Sequence, residues 1–264
     1  MKISSVQNPK VKEAVRLRER RERDRSGRFL IEGYRELKRA LDAGRTIEHC
    51  FFCPELFLGK NEQELLRKAN APVFECSSSV FHTLSYRDRP DGILAVAPQL
   101  HLALHDLLLR STPFFLIAES IEKPGNLGTM LRSSDAAGVD AVIVCDKTTD
   151  LHNPNVVRSS VGTLFTQPVI EAASIETLQF LKSLNIAIAA ATPHAKLEYT
   201  EADFKVPLAI AMGTEQYGLS EIWMKEADMQ IRIPMFGIAD SLNVASATTL
   251  LLYEVVRQRR NPLC

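Results

Sequence analysis

The stretch FFLIAESIEKPGNLGTMLRSSDAAGVDAVIVC, residues 114–145, contains alternating strand and helix patterns from which the architecture follows. Two continuous apolar runs, 114–118 and 141–145, enclose a segment with helical periodicity at 127–137. Apolar runs without alternation are typical of strands buried on both faces, as in a parallel sheet covered by helices. The stretch therefore predicts an α/β architecture with a parallel sheet.

The same alternation continues toward the end of the chain, and a smaller α/β unit precedes it. Later strands are predicted at 186–190, 208–212 and 230–233, and later helices at 174–184, 221–226 and 244–260. The first 100 residues predict strands at 28–32, 47–53, 73–76 and 93–97, and helices at 9–26, 35–43, 63–69 and 79–84. A helical segment at 101–111 connects the two parts. We therefore predict a domain at 1–100, a linker at 101–112 and a second domain at 113–264.

The composition is that of an ordinary globular protein. The chain has 264 residues, of which 45% are hydrophobic and 24% charged, which excludes disordered and fibrous classes. The apolar runs fall short of the ~18 residues that a membrane span needs, and the stretch MKISSVQNPK lacks the apolar region of a secretory signal. Five cysteines in a chain of this length indicate reduced thiols, so we expect a cytoplasmic protein.

The net charge of zero conceals an asymmetry between the two parts. Residues 1–100 carry 19 Lys and Arg against 14 Asp and Glu, whereas residues 101–264 carry 13 against 18. Nine basic and four acidic residues lie between Lys10 and Arg28. Screening limits each charge to about 8 Å at physiological salt, so a local basic surface persists and predicts a polyanionic partner. A solvated charged helix is the alternative, because acids such as Glu13 and Glu19 interrupt the strip.

Three loops follow predicted strands of the second domain and carry the candidate chemistry. Ligands of parallel sheets bind beyond the carboxyl ends of the strands. The loops read EKPGNLGTMLRSSDAAG (122–138), GTEQYGLSE (213–221) and PMFGIADSLNVASATTLLLYE (234–254). Their position at the strand ends of one sheet favours a common site.

Each polar residue in these loops also has a structural interpretation. Arg132 taken alone is typical of a solvated helix residue, and Glu215 between two glycines is typical of an acidic turn. Ser241 and Asn243 precede a long apolar helix, where one of them is expected to act as the N-cap. The functional interpretation depends on all three loops meeting.

Other common sites are disfavoured by the sequence. There is no G-x-G-x-x-G fingerprint, no P-loop and no serine nucleophile elbow. Cys50 and Cys53 have metal-like spacing, but the second pair that a zinc site needs is missing, so we interpret them as buried thiols. His194 lacks partners in the pattern and is interpreted as structural. We expect no metal site.

The three loops resemble the three motifs of the SpoU/TrmH family of RNA ribose 2′-O-methyltransferases, in the SPOUT superfamily. The matching residues are Asn126, Gly128, Arg132 and Gly138 in the first motif, Gly213, Glu215 and Gly218 in the second, and Ile233, Pro234, Met235, Gly237, Ser241, Leu242 and Asn243 in the third. The segment GRFLIEGYRELKRALDAG, residues 27–44, resembles the ribosomal-protein-like substrate-binding domain that often precedes this catalytic domain. Ala245 departs from the serine that many members have after the Asn-Val pair.

The resemblance implies a C-terminal parallel-sheet SPOUT domain with a deep trefoil knot, a homodimer with the active site near the subunit interface, and S-adenosylmethionine as the cofactor without a metal. It implies catalytic roles for Arg132, Asn126, Glu215, Asn243 and Ser241. It places the cofactor against Thr192, Met212, Gly213, Gly218, Ile233 and Leu242. The basic strip would then supply RNA contacts from Lys10, Lys12, Arg16, Arg20, Arg21 and Arg28.

The implied reaction transfers a methyl group to a ribose 2′-hydroxyl of RNA, with 23S ribosomal RNA as the expected substrate. A tRNA ribose methyltransferase is the alternative within the class, and a non-catalytic RNA-binding protein with a decayed domain is the alternative outside it. An arginine is a poor general base because its guanidinium stays protonated throughout the physiological pH range. We therefore interpret Arg132 as lowering the pKa of the hydroxyl electrostatically.

Overall fold

The computed structural model describes residues 2–260 and contains two compact units. The first unit comprises the chain up to Leu100 together with Asp150–Thr166. The second comprises His101–Thr149 and the chain from Gln167 onward. None of the helices in the described range is long and apolar enough to span a bilayer.

The first unit is built on a mixed four-stranded sheet in the order β1-β4-β2-β3. Its strands are β1 (Arg28–Glu32), β2 (His49–Phe52), β3 (Val73–Glu75) and β4 (Ile93–Pro98). Its helices from the first 100 residues are α1 (Pro9–Arg16), α2 (Arg20–Ser26), α3 (Tyr34–Asp42), α4 (Glu62–Lys68) and α5 (Ser78–Leu84). Phe51 and Phe81 are fully buried in the core that forms between the sheet, α1 and α5. This unit is the small α/β body that the sequence predicts for the N-terminal part.

The second unit is built on a seven-stranded sheet in which every pair of neighbouring strands is parallel. Its strands are β5 (Phe114–Glu119), β6 (Ala141–Cys145), β7 (Val169–Ala172), β8 (Ala187–Ala191), β9 (Leu197–Glu198), β10 (Leu208–Met212) and β11 (Met229–Arg232). Its helices are α6 (Pro124–Ala137), α8 (Ser174–Ser183), α9 (Glu221–Glu226) and α10 (Val244–Arg260). The predicted α/β class and parallel sheet are confirmed. The knot remains an implication of the resemblance.

The strand order β7-β6-β5-β10-β8-β11-β9 places a switch point beside β5. The chain moves outward from β5 through β6 to β7 and then continues on the other side, with β10 inserted between β5 and β8. Such a reversal opens a crevice beyond the carboxyl ends of the central strands. The loops after β5, β10 and β11 leave the sheet at that edge, and α6 and α10 pack against each other nearby. The fold therefore gathers the three motif loops at one edge.

A third segment, Asp150–Thr166, belongs to the first unit although it lies between strands of the second. It contains the helix α7 (Pro154–Ser159), which packs against β1. Asp150 binds the guanidinium of Arg23, which is only 1% exposed, and the ring of Phe165 lies 6.2 Å from that of Phe29. The sequence-based boundaries placed residues 150–166 in the predicted second domain, 113–264. Burial of their apolar and charged side chains accounts for their place in the first.

The predicted helix at 9–26 is interrupted at residues 17–19. The carbonyl oxygens of Leu17 and Arg18 accept hydrogen bonds from Arg23 Nη1 at 2.8 and 2.6 Å, and Glu19 is extended with ψ 132°. In a continuous helix these carbonyl oxygens would accept hydrogen bonds from backbone N–H groups, whereas here they bind the buried guanidinium of Arg23. α2 ends at Gly27 in a left-handed conformation, as the sequence predicts.

The predicted helix at 101–111 is also wrong. Only a 3-10 turn at Leu104–Asp106 forms there. Leu108, an apolar residue of this segment, is 94% exposed. A helix at this position would gain little from burial, and short helices depend on such packing.

Candidate active site

The three motif loops meet through three polar side chains. Asn126 Nδ2 donates a hydrogen bond to Glu215 Oε1, and Asn243 Nδ2 donates one to Asn126 Oδ1 at 3.1 Å. Asn126 comes from the first turn of α6, Glu215 from the loop after β10, and Asn243 from the start of α10. The network therefore joins Asn126 to a residue 89 positions away in the chain and to another 117 positions away.

Asn243 has a second role at the start of α10. Its Oδ1 accepts hydrogen bonds from the backbone N–H groups of Ala245 and Ser246 at 3.0 and 3.3 Å. This is the arrangement of an N-cap, which satisfies amides that the helix leaves without partners. The two interpretations of Asn243 are thus compatible, because the carbonyl oxygen caps the helix while the amide group contacts Asn126. Ala245 is buried and contributes only its backbone here.

The loop that carries Glu215 is closed tightly on itself. Thr214 and Gly218 exchange backbone hydrogen bonds of 3.0 and 3.1 Å, and Gly218 has a φ of +72°. A Cβ on Gly213 would lie 2.1 Å from the carbonyl carbon of Gly218, so only glycine fits at that position. Within the described range, Glu215 Oε2 is buried and has no hydrogen-bond partner. The loop therefore presents an unsatisfied carboxylate oxygen at the site.

A cavity of about 450 Å³ lies beside this network at the carboxyl edge of the sheet. All six residues expected to hold the cofactor line it: Thr192, Met212, Gly213, Gly218, Ile233 and Leu242. Ser241 and Glu215 line it as well, whereas Asn126 and Asn243 border it through Glu215. His194, Tyr217 and Asp240 also contribute to the wall, although the sequence pattern did not predict them in the site. His194 could have been predicted from its position in the loop after β8, because that loop leaves the sheet at the same edge.

Arg132 lies outside the hydrogen-bonded network. It is exposed on α6, and no hydrogen bond or ion pair to its side chain forms within residues 2–260. It lies six positions after Asn126, which places the two side chains about 120° apart around the helix. Ser133 instead faces α10, where its Oγ lies 2.7 Å from Thr249 Oγ1. The structure thus joins Asn126, Glu215 and Asn243 but leaves Arg132 at the surface.

A buried carboxylate that the sequence analysis did not single out supports the loop after β10. Glu119, the last residue of β5, accepts hydrogen bonds from Ser220 N at 2.8 Å and Ser220 Oγ at 2.6 Å. Ser174 Oγ contacts the same carboxylate and receives a hydrogen bond from Trp223 Nε1 at 2.9 Å. Glu119 therefore fixes the end of the Glu215 loop. The prediction missed it because it extends an apolar run by one residue.

The basic strip in the first unit is partly neutralised. Arg28 pairs with Glu13 and, at 3.5 Å, with Glu48. Arg20 pairs with Asp24 at 3.6 Å, and Lys10 Nζ lies 4.8 Å above the ring of Phe74. The three other predicted RNA contacts are exposed: Lys12, Arg16 and Arg21.

The cysteines in the described range are buried free thiols, as predicted for Cys50 and Cys53. Burial raises the pKa of Cys50 to about 12. Within residues 2–260 no group of three or more His, Cys, Asp or Glu side chains is placed to hold a metal ion.

A parallel sheet with a small-molecule cavity at its switch point, next to a polar network from three loops, defines an α/β protein with a cofactor-type site. Residues 113–253 match the SpoU rRNA Methylase family, and residues 8–95 match the MRM3-like substrate binding domain. The chain belongs to the SpoU rRNA Methylase family. The resemblance of the three loops to that family is confirmed.

Relatives cover nearly the whole chain. A 23S rRNA (uridine(2479)-2′-O)-methyltransferase from Streptomyces viridochromogenes is 30% identical over 247 residues, covering 91% of this chain and 86% of the relative. The crystal structure of an RNA 2′-O ribose methyltransferase is 43% identical, has a TM-score of 0.89, and covers 99% of this chain and 100% of its own. The crystal structure of the AdoMet-bound rRNA methyltransferase from Sinorhizobium meliloti is 29% identical and has a TM-score of 0.89. It covers 100% of this chain and 99% of its own.

Proposed function

We propose that this protein transfers a methyl group from S-adenosylmethionine to a ribose 2′-hydroxyl of RNA. The observation that carries the proposal is the network of Asn126, Glu215 and Asn243 beside a cavity lined by all six expected cofactor residues. The family and the full-length similarity to RNA 2′-O-methyltransferases support the same reaction.

The cavity fits the cofactor in size and in the chemistry of its wall. Its volume of about 450 Å³ lies within the range of small-molecule sites. Met212, Ile231 and Leu251 supply apolar surface for an adenine ring, and the main-chain groups of Ile233 and Leu242 are proposed to read its polar edge. When bound, S-adenosylmethionine supplies a methyl group whose departure leaves a neutral thioether, so the reaction needs no metal.

The polar network is proposed to hold the ribose. Asn126 and Asn243 have their amide groups fixed by each other and by Glu215, which limits the orientations that a bound ribose samples. Accurate positioning of reacting groups contributes roughly 7–11 kcal/mol in the best intramolecular cases. Ser241 is proposed to contact a phosphate at the cavity wall.

Arg132 is proposed to act at the interface of a homodimer. It is exposed on α6, next to α10, whose outward face carries Leu250 and Tyr253 with exposures of 43% and 48%. These residues follow Ser246 at helical spacing and form an apolar stripe that a second copy of the chain would cover. Association would order the guanidinium, which then lowers the pKa of the attacking hydroxyl by its charge. The hydroxyl proton is proposed to pass to a phosphate oxygen of the RNA as the oxygen–methyl bond forms and the sulfur–methyl bond breaks.

Ribosomal RNA is the proposed substrate class, and 23S rRNA is the proposed molecule. The Streptomyces relative is named for methylation of 23S rRNA, and the first unit matches a substrate-binding domain. The buried free cysteines are consistent with the proposed cytoplasmic location.

The test is methyl transfer to RNA in vitro, followed by mapping of the product. The purified protein is incubated with tritiated S-adenosylmethionine and, in parallel, with unmodified 23S rRNA, 16S rRNA and total tRNA transcripts. We expect incorporation into 23S rRNA at a 2′-O position that is unmethylated in cells lacking the gene. Labelling of tRNA alone would contradict the ribosomal assignment. Cofactor binding measured by calorimetry without labelling of any RNA would contradict the proposed reaction.

A further inference from the structure

The loop Ser85–Asp91 of the first unit is held rigidly by buried groups. Glu32, 8% exposed at the end of β1, accepts hydrogen bonds from Ser85 Oγ and from the backbone N–H of Tyr86 at 2.8 Å. Arg87 Nη2 donates to the carbonyl oxygen of Glu32 at 2.7 Å, and the same guanidinium pairs with Glu36 at 2.8 Å. The backbone of this loop is therefore fixed before any partner binds.

The side chain of Tyr86 projects from this fixed loop. It is 41% exposed, and its hydroxyl accepts a hydrogen bond from Asn155 Nδ2 at 3.1 Å. Asn155 lies on α7, in the segment that the later part of the chain contributes to this unit. Both ends of the tyrosine are thus tethered while its ring remains accessible. A ring with a preset orientation loses little conformational entropy when it stacks on a ligand.

Arginines that lack a carboxylate partner lie close to Tyr86 in space or in the chain. Arg158 lines the same small pocket as Tyr86 and Arg87, and Arg89 is exposed three residues further along the loop. Within the described residues, neither Arg158 nor Arg89 pairs with a carboxylate. Arg18 Nη2 donates hydrogen bonds to the carbonyl oxygens of Thr83 and Ser85, and no acid in the described part of the chain pairs with its guanidinium. Asp88 is the one exposed acid of the loop.

This arrangement differs from three of the six cations in the basic strip that the sequence suggested. Arg28 and Arg20 are ion-paired, and Lys10 is engaged with an aromatic ring. A cation already paired with a carboxylate gains less from a phosphate, because the pair must first be separated. The unpaired arginines near Tyr86 have no such cost.

We propose that Tyr86, Arg89 and Arg158 form a platform that binds an unpaired nucleotide of the RNA substrate. The ring stacks on the base, and the two guanidinium groups contact the flanking phosphates. Exposed aromatic rings next to arginines are the usual means of holding unstacked bases of RNA. The proposal rests on the proposed function, because the RNA that the platform binds is the substrate of the proposed reaction.

The test compares RNA binding by variants of the full-length protein. The probe is a fluorescently labelled unmodified 23S rRNA transcript, and its Kd is measured at four salt concentrations. We expect Tyr86→Ala to weaken binding about tenfold with an unchanged salt slope, because stacking releases no counterions. Tyr86→Phe keeps the ring and is expected to retain most of the affinity.

The charged variants give effects of opposite sign. Arg158→Ala is expected to weaken binding and to reduce the salt slope by about 0.7, the value for one phosphate contact on a single strand. Asp88→Asn removes the opposing charge and is expected to tighten binding. Lys60→Ala, which removes an exposed lysine elsewhere on the first unit, is the matched control and is expected to change neither quantity.

The outcomes separate the platform from the proposed function. Wild-type affinity and salt slope in Tyr86→Ala and Arg158→Ala, with methyl transfer to 23S rRNA intact, would overturn the platform alone and assign the surface to another partner, such as a protein. Wild-type protein that neither binds nor methylates RNA would overturn the proposed function and the platform with it. Thermal melting of each variant identifies loss of fold, and Tyr86→Phe against Tyr86→Leu then isolates the ring in two variants of similar size.

Discussion

Asn243 donates a hydrogen bond from Nδ2 to Asn126 Oδ1 at 3.1 Å, while its own Oδ1 caps the helix α10. One side chain thus joins the start of the last helix to the first turn of α6. Because the two functions use different atoms, substitutions can separate them.

Replacement of Asn243 by Asp is expected to keep the cap and lose the contact with Asn126. A carboxylate accepts hydrogen bonds from backbone N–H groups as well as an amide does, but it has no donor for Asn126 Oδ1. We therefore expect Tm to stay within a few degrees and methyl transfer to fall about 100-fold. Asn243→Ala should lose the activity and, in addition, about 1 kcal/mol of stability from the cap. Activity near wild type in Asn243→Asp would exclude the network from the reaction.

Arg132→Ala is expected to abolish methyl transfer and leave the Kd for S-adenosylmethionine within a few-fold. The side chain does not line the cavity, so its loss should not disturb cofactor binding. Calorimetry and single-turnover methylation are the two measurements. Arg132→Lys keeps a positive charge and should recover part of the rate if the charge itself is what acts. A variant with normal turnover would remove Arg132 from the mechanism.

Gly213 and Gly125 provide a matched pair of glycines. A Cβ on Gly213 would meet the backbone of Gly218 at 2.1 Å, whereas a Cβ on Gly125 has nothing within 4 Å. Gly213→Ala should open the Glu215 loop and weaken cofactor binding by at least tenfold. Gly125→Ala lies in a helix and should raise stability by about 0.4–1 kcal/mol. Equal cofactor affinity in the two variants would contradict the importance of the loop closure.

The buried ion pair between Arg23 and Asp150 should contribute strongly to the cooperativity of the first unit. Removal of one partner leaves an uncompensated buried charge, which costs about 3–5 kcal/mol. Arg23→Met alone and Asp150→Leu alone are each expected to lower the urea midpoint substantially. The double variant should recover much of the loss, because it replaces both charges with apolar volume. Additive losses in the double variant would argue against direct coupling.

The buried thiols predict a loss of stability at alkaline pH. Burial raises the pKa of Cys50 and Cys145 from 9.0 to about 12, so folding favours the protonated forms. The contribution is complete below pH 9 and declines between pH 9 and 12, by up to 1.36 kcal/mol per pH unit for each thiol. Urea unfolding at pH 8, 9.5 and 10.5 measures this decline. Cys145→Ala should show a shallower decline than wild type, and an unchanged slope would show that this thiol does not contribute.

The sequence predicted the strands and the site loops well where a pattern is local. Continuous apolar runs identified β5, β6 and β10, and the start of α10 was visible because Asn243 precedes a long apolar helix. Glu215 and the cavity residues followed from the family motifs. Local patterns were sufficient because the apolar side chains that each of these strands and helices buries are consecutive or regularly spaced in its own sequence.

The remaining features depend on contacts between residues far apart in the chain. The break at residues 17–19 is caused by Arg23, whose burial is completed by Asp150, 127 residues later. The platform around Tyr86 likewise needs Asn155 and Arg158 from α7. Arg132 is exposed on α6, and its proposed ordering depends on a second copy of the chain, which no pattern within one sequence reveals.

The return of residues 150–166 to the first unit affects how the chain folds during synthesis. A ribosome must release β5 and β6 before it makes the segment that completes the earlier body. Until then Phe29 lacks its neighbour Phe165, and Arg23 lacks its carboxylate. The two bodies therefore mature in an interleaved order, and a gene fragment that stops at residue 100 would encode an unfinished one.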